Sequence, residues 1–134
     1  MPKHLLPPTS LRVSLHTKDE INRRIQKRTQ ENIEGFKNKS KEDIRRRIEE
    51  LEREWDIEKA LETNASILIV ISALLGIAVG GVGWFIFIGI IAAFLLYHAL
   101  VGWCPPIPVF RRMGIRTSAE IDEEKHQLKR LMNQ

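Results

Sequence analysis

Between Thr63 and Phe110 the chain contains no Lys, Arg, Asp or Glu. Its 21 basic and 17 acidic residues all lie in 1–62 or 111–134, so an overall mean hydropathy of −0.20 averages two different materials. An uncharged, mostly apolar run of that length is not a water-facing element, and it is about twice the ~20 residues that one membrane crossing requires. Two spans fit it. Cysteine is nearly missing as well: Cys104 stands alone, which excludes an intramolecular disulfide framework and any CxxC zinc or redox motif. His4, His16, His98 and His126 have no metal-ligand spacing, so no metal and no cofactor are expected. The first 60 residues hold no apolar h-region, so no cleavable signal peptide is expected and targeting falls to the spans themselves.

An excess of one charge sign is also lacking within each flank. Residues 1–62 carry 15 Lys/Arg against 13 Asp/Glu, and 105–134 carry 6 against 4. Arg45-Arg46-Arg47 is bracketed by Glu42, Asp43, Glu49, Glu50, Glu52 and Glu54, which describes a solvated helix face rather than a phosphate-binding stripe, and nucleic acid is not an expected partner. Gly80-Gly81-Val82-Gly83 follows an apolar helical run rather than a strand and has no Lys or Ser after it, so it reads as a turn and not as a phosphate loop.

What is present divides the chain in four. Residues 1–16, with Pro2, Pro7 and Pro8, have no helical period and read as an extended or disordered lead. Residues 17–62 read as a cytoplasmic helical arm. Thr17-Lys18-Asp19-Glu20 has capping-box spacing ahead of Ile21, Ile25 and Ile33, with Thr29 filling the gap in that stripe. After a break at 35–38, Ser40-Lys41-Glu42-Asp43 repeats the cap pattern, and Ile44, Ile48, Leu51 and Trp55 follow at seam spacing. That seam packs either on the first helix or on a second copy. The helix is expected to run on without a break into the membrane.

Residues 63–110 read as a two-span hairpin, with spans at about 63–79 and 84–103 and the turn at 80–83; each is about 27–30 Å long, near the hydrocarbon thickness. Trp84, Tyr97 and Trp103 suit interfacial aromatic belts. Pro105, Pro106 and Pro108 stop the second helix. Arg111, Arg112 and Arg116 follow at once and are the candidate lipid-headgroup contacts; basic residues beside a span favour the cytoplasmic side, so both termini are expected there. Within 111–134, Thr117-Ser118-Ala119-Glu120 makes a third capping box, opening an amphipathic helix with Ile121, Leu128, Leu131 and Met132 on one side, placed either on the membrane surface or against the arm. The expected fold class is therefore all-α: a transmembrane helical hairpin with an N-terminal cytoplasmic helical arm and a short C-terminal amphipathic helix.

Two sets of residues inside the hairpin invite a functional reading. An ionisable side chain within a membrane is a functional candidate by default, and His98 lies about five residues inside the second span. Counting back from the turn places Asn64 at nearly the same depth, with Glu62 slightly outside, so a polar clasp of His98 with Asn64 or Glu62 is expected in preference to proton, quinone or haem chemistry. Ser72, Gly76 and Gly80 line one face of the first span with small side chains, as Gly89 and Ala93 do on the second, for packing within the hairpin, between copies, or both.

Gly102-Trp103-Cys104-Pro105 followed by Gly114-Ile115-Arg116-Thr117, after an apolar hairpin, resembles the YgaP-like inner-membrane transmembrane domain family of bacteria. The similarity runs from about Ile57 to Thr117. The chain departs from the family pattern in having Pro106-Ile107-Pro108 where an aromatic usually follows Cys-Pro, and in lacking the Asp-Arg pair usual before the first span. The resemblance implies the bacterial inner membrane as location and a hairpin that forms dimers. Some members carry a fused rhodanese sulfurtransferase, which this sequence does not contain, so a persulfide relay at Cys104 is the alternative function. The reading preferred from the sequence is a small integral membrane protein that is not an enzyme and has no catalytic residue. It is expected to serve as a homodimer or as an accessory structural or interaction subunit of a larger membrane complex, with the lipid bilayer as its other partner.

Overall fold

Short polar side chains set three of the helix starts. The computed structural model describes residues 6–134; Pro2, His4 and the rest of residues 1–5 of the lead lie outside the described residues. Helices α1 (Arg12–Leu15), α2 (Asp19–Gly35), α3 (Lys41–Arg53), α4 (Ile57–Val79), α5 (Gly83–Val101), α6 (Pro106–Arg112) and α7 (Ser118–Met132) follow in order. Ser40 caps α3 by accepting the Asp43 amide at 3.2 Å, and Asp56 caps α4 by accepting the Lys59 amide at 2.7 Å. Thr117 and Glu120 complete a reciprocal capping box on α7, each side chain accepting the other's backbone N–H. Each such cap is worth about 1 kcal/mol.

Thr17 is not a cap, contrary to its spacing. Lys18 occupies the N-cap position of α2 without a side-chain hydrogen bond, because the Thr17 hydroxyl donates instead to the Val13 carbonyl at 2.7 Å. The lead is not wholly extended either: Arg12–Leu15 closes one helical turn and buries Val13. The run from arm to membrane is broken at residues 54–56, where Asp56 stops one helix and caps the next, and Trp55 is thrown out of the seam to 49 % exposure with Lys59 Nζ 4.9 Å above its ring.

The membrane helices α4 and α5 pack against each other as a hairpin. At about 34 Å and 28 Å long by helical rise, both are sufficient for a hydrocarbon core of about 30 Å. Gly80 (φ 81°) and Gly81 (φ 110°) form the turn in conformations that a side chain disfavours. Facing the seam, α4 contributes Ala65, Ser72 and Gly76; a Cβ on Gly76 would lie 3.3 Å from Trp84 Cβ. The outer surface keeps Ile67, Val70, Ile71, Leu74, Ile77, Phe85, Ile86 and Leu96 exposed. Apolar exposure on that scale is incompatible with water and suited to lipid.

The prolines after α5 start a helix as well as ending one. Gly102 (φ 95°) caps α5 by donating its amide to the His98 carbonyl at 2.8 Å, and Pro105 and Pro106 then open α6, where a missing N–H costs nothing. α6 packs back on α4. A first core forms at the foot of the hairpin from Val13, Ile57, Leu61, Cys104 and Ile107. A second holds the arm together: Ile44, Ile48 and Leu51 of α3 meet Ile121 and Leu128 of α7. The α3 seam thus faces neither α2 nor a second copy but α7, which also contacts α2. Of the two placements open to α7, the structure takes the one against the arm.

Candidate functional site at the hairpin foot

Three charge clusters gather where the hairpin meets the arm, two centred on buried arginines and one on Glu58. Arg111, in the last turn of α6, is 1 % exposed. Its guanidinium donates to both oxygens of Glu120 at 2.5 and 3.0 Å, to Asn22 Oδ1 at 2.9 Å, to Thr17 Oγ1 at 3.2 Å and to the Ile115 carbonyl at 3.2 Å. One side chain thereby ties α6 to α7, to α2 and to the turn before α2. Burial would raise the Glu120 carboxyl, but the hydrogen bonds from Arg111 and from the Thr117 amide outweigh it and hold the group below its ordinary range.

Arg116, in the loop between α6 and α7, donates to Glu54, to Glu124 and to Thr29 Oγ1, the last at 3.1 Å. Its own carbonyl accepts the Ile57 amide at 2.9 Å. Burial works against its charge, and the two carboxylates more than restore it, so Arg116 is held above the ordinary arginine range. Glu124 is fully buried and is also approached by Arg47 Nη2 at 3.2 Å. The third cluster lies on the membrane side. Glu58 accepts from Arg12 Nη2 at 2.5 Å and from His98 Nε2 at 2.9 Å. A carboxylate can only accept here, so Nε2 carries the hydrogen; the buried Nδ1 has no partner among the described residues.

The expected clasp therefore has a different partner. Asn64 and Glu62 are exposed, and His98 meets Glu58 instead. Depth alone misdirected that pairing, because rotational phase decides it: Glu58, Ala65 and Ser72 recur every seven residues on the buried face of α4, whereas 62 and 64 fall on its flanks. Asn64 lines an apolar groove of about 210 Å³ with Leu68, Phe94 and Cys104. The headgroup assignment is likewise corrected for two arginines of three. Arg111 and Arg116 are consumed by internal carboxylates, and Arg112 alone is exposed. Of the small residues, Ser72 and Gly76 are buried in the hairpin seam, while Gly80, Gly89 and Ala93 lie on its outside. Cys104 is 4 % exposed, and burial pushes its thiol up, away from the reactive thiolate.

Arg12, Glu54, Glu58, Glu120 and Glu124 were not singled out from sequence as partners. Glu124 had a signal: it sits between Ile121 and Leu128 at seam spacing, so a carboxylate there faces the core and requires a cation. Thr29, inside the α2 stripe, had the same one. Among the described residues no group of three or more His, Cys, Asp or Glu is placed to hold a metal ion.

The Gly-x-Cys-Pro and Gly-Ile-x-Thr residues each have a local structural task. A Cβ on Gly102 would lie 2.5 Å from the Arg12 carbonyl carbon and oxygen, so the glycine admits α1 against the end of α5. Gly114 (φ 89°) and Ile115 close α6 in a Schellman motif, donating to the carbonyls of Arg111 and Phe110. Thr117 caps α7. Residues 57–120 match the family model described as inner membrane protein YgaP-like, transmembrane domain. This segment, a little under half of the chain, is similar to the YgaP-like transmembrane domain. Comparison with curated proteins and with solved structures gives no match. The YgaP-like segment contains Glu58, His98, Cys104, Arg111, Arg116 and Glu120, whereas Arg12, Asn22, Thr29, Glu54 and Glu124 lie outside it. Every ion pair from Arg12 to Glu58 and from Arg116 to Glu54 or Glu124 thus joins the YgaP-like domain to the rest of the chain.

Proposed function

We propose that this protein is a non-enzymatic inner-membrane subunit, in which the YgaP-like hairpin anchors and orients a cytoplasmic helical arm that engages a partner. The observation that carries the reading is the use of the buried charges: Arg111, Arg116, Glu120 and Glu124 are spent on one another and on the arm, leaving a rigid joint rather than a reactive site. The orientation rests on charge. All 21 Lys and Arg residues lie in sequence at 1–62 or 111–134 and none in the turn of the hairpin, which favours cytoplasmic termini. A homodimer is supported by Gly89 and Ala93, which face outward on α5 four residues apart; a Cβ on Gly89 would meet nothing within the monomer, so another helix has room to approach. Crosslinking in native membranes is expected to give a discrete homodimer or one dominant heteromeric partner. A strictly monomeric chain without any partner would end this proposal.

A second reading, a persulfide relay, draws on Cys104 lining the groove between α4 and α5. In it the Cys104 thiolate takes the outer sulfur of a donor persulfide, and the donor cysteine leaves as its thiolate. Burial and the raised thiol pKa oppose the first step. Incubation with a persulfidated sulfurtransferase, followed by mass measurement of the native protein and of Cys104→Ala, separates the two: this reading requires a gain of one sulfur that the variant lacks.

A further inference from the structure

Exposed apolar residues are not confined to the two long helices. On α1, Leu11 and Leu15 are 50 % and 61 % exposed, four residues apart and opposite Val13, which is buried. On α6, Val109 and Met113 are 57 % and 68 % exposed, again four apart, with the exposed Arg112 beside them. Both short segments sit at one level of the molecule. Val13 and Ile107 belong to the same core as Ile57, Leu61 and Cys104, and the Arg12 backbone abuts Gly102, where α5 ends.

The two segments also share a composition. Residues 6–18 and 105–119 contain no Asp or Glu, although the chain has 17 acidic residues, and they carry Arg12, Lys18, Arg111, Arg112 and Arg116. Of these, Arg112 and Lys18 are exposed. Within these two segments the surface thus presents basic and no acidic side chains, as a negatively charged headgroup layer favours; the exposed Glu62, beside Leu61 of the same core, belongs to α4 and to neither segment.

We propose that α1 and α6 form an interfacial collar: Leu11, Leu15, Val109 and Met113 enter the boundary between headgroups and acyl chains in the leaflet from which the hairpin emerges, and Arg112 reaches the lipid phosphates. The occupant of this apolar surface is lipid rather than protein, because the surface is continuous with the lipid-facing wall of α4 and α5 and carries the charge that lipid headgroups attract. Cys104, packed between the two segments, is shielded under this collar. The collar fixes the tilt of the hairpin and the height of the arm above the membrane.

The test uses the full chain in vesicles of zwitterionic lipid with an anionic fraction, in a Cys104→Ala background, with an environment-sensitive fluorophore on Leu15→Cys, Met113→Cys, Lys37→Cys or Val70→Cys. Lys37 lies in the turn at the far end of α2, and Val70 lies exposed midway along the hairpin wall. Lipid carrying a nitroxide near the headgroup is expected to quench the labels at 15 and 113 several-fold more than the label at 37. Nitroxide deep in the acyl chain is expected to quench the label at 70 and to spare those at 15 and 113. The collar is overturned if labels 15 and 113 respond to aqueous iodide as label 37 does, or if they are shielded from both iodide and lipid nitroxide, which would indicate a protein partner. Quenching at 70 reports hairpin insertion separately, so failure of the collar and failure of the span are told apart. Leu15→Ser and Met113→Ser without any label are expected to increase proteolysis at the lead when combined, with the arm still folded by circular dichroism.

Discussion

The hairpin and the arm bury different things. On α4 the contact with α5 is made by Ala65, Ser72 and Gly76, the last against Trp84, while Ile67, Val70, Ile71, Leu74 and Ile77 stay exposed on the outer wall. Between α3 and α7 the large side chains point inward, and the same interior accepts Glu124, Arg116 and Thr29. Solvent explains the inversion. Lipid gives no reward for hiding leucine, so close approach of backbones decides the membrane seam; water does, so Ile44, Ile48, Leu51 and Leu128 decide the arm. The buried ion pairs belong to neither region alone. They sit where the two meet, and they give directional, stereospecific partners to a joint that apolar packing by itself would leave loosely specified.

The largest expected effect comes from breaking the joint on one side. Arg116→Ala leaves Glu54 and Glu124 without their shared cation and is expected to destabilise the arm by about 3–5 kcal/mol, since removing one partner strands a buried charge. Thermal unfolding followed by circular dichroism, with proteolysis of the arm, measures this, and the hairpin is expected to stay inserted. Arg112→Ala, next in sequence to the equally basic Arg111 but exposed, is expected to stay within about 0.5 kcal/mol in the same assay. Equal losses from both would erase the distinction between buried and exposed arginines.

Next in size is the contact of α1 with the end of α5. Gly102→Ala places a methyl group 2.5 Å from the Arg12 carbonyl in a backbone conformation with φ 95°, and is expected to cost about 1–3 kcal/mol and release the lead. Limited proteolysis around Arg12 reads that release. Gly80→Ala is strained in the same way but meets no neighbour within 4 Å, and is expected to leave the lead in place.

Acid sensitivity also separates the regions. Glu120 is held below its ordinary pKa of 4.5, so the stability it contributes is complete above that value and is lost as pH falls through its lower folded value. Urea titration of the arm is expected to show a falling midpoint over that acid range, and Glu120→Gln is expected to flatten the fall while lowering the midpoint at neutral pH. The apolar hairpin seam carries no such dependence. The smallest effect separates the two glycine faces. Gly76→Ala asks Trp84 to yield by a few tenths of an ångström and loosens the hairpin slightly, while Gly89→Leu leaves the monomer intact and is expected to lower the dimer fraction measured by crosslinking.

The sequence revealed the membrane region because absence of charge over so long a run has one physical meaning, and it located the caps at Ser40 and Thr117 because hydroxyl and carboxylate at that spacing satisfy particular amides. Thr17 had the same spacing and failed because the Val13 carbonyl and Arg111 competed for its hydroxyl. The break at Asp56 was missed although aspartate is itself a strong helix starter. The joint was the least legible part. Arg12 and Glu58 are 46 residues apart, and Arg116 and Glu54 are 62 apart, so their pairing depends on how helices stack and not on local pattern. Buried polar residues within apolar stripes, Thr29 and Glu124, were the available local hints.

Compartment labelling of single cysteines tests the central claim most directly. In a Cys104→Ala background, a membrane-impermeant maleimide added to intact cells with a permeable outer envelope is expected to label Gly81→Cys in the turn. Lys37→Cys in the arm and Lys129→Cys on α7 are expected to react only after the membrane is opened. Labelling of Lys37→Cys and Lys129→Cys from opposite sides would contradict a hairpin whose two ends meet in one joint.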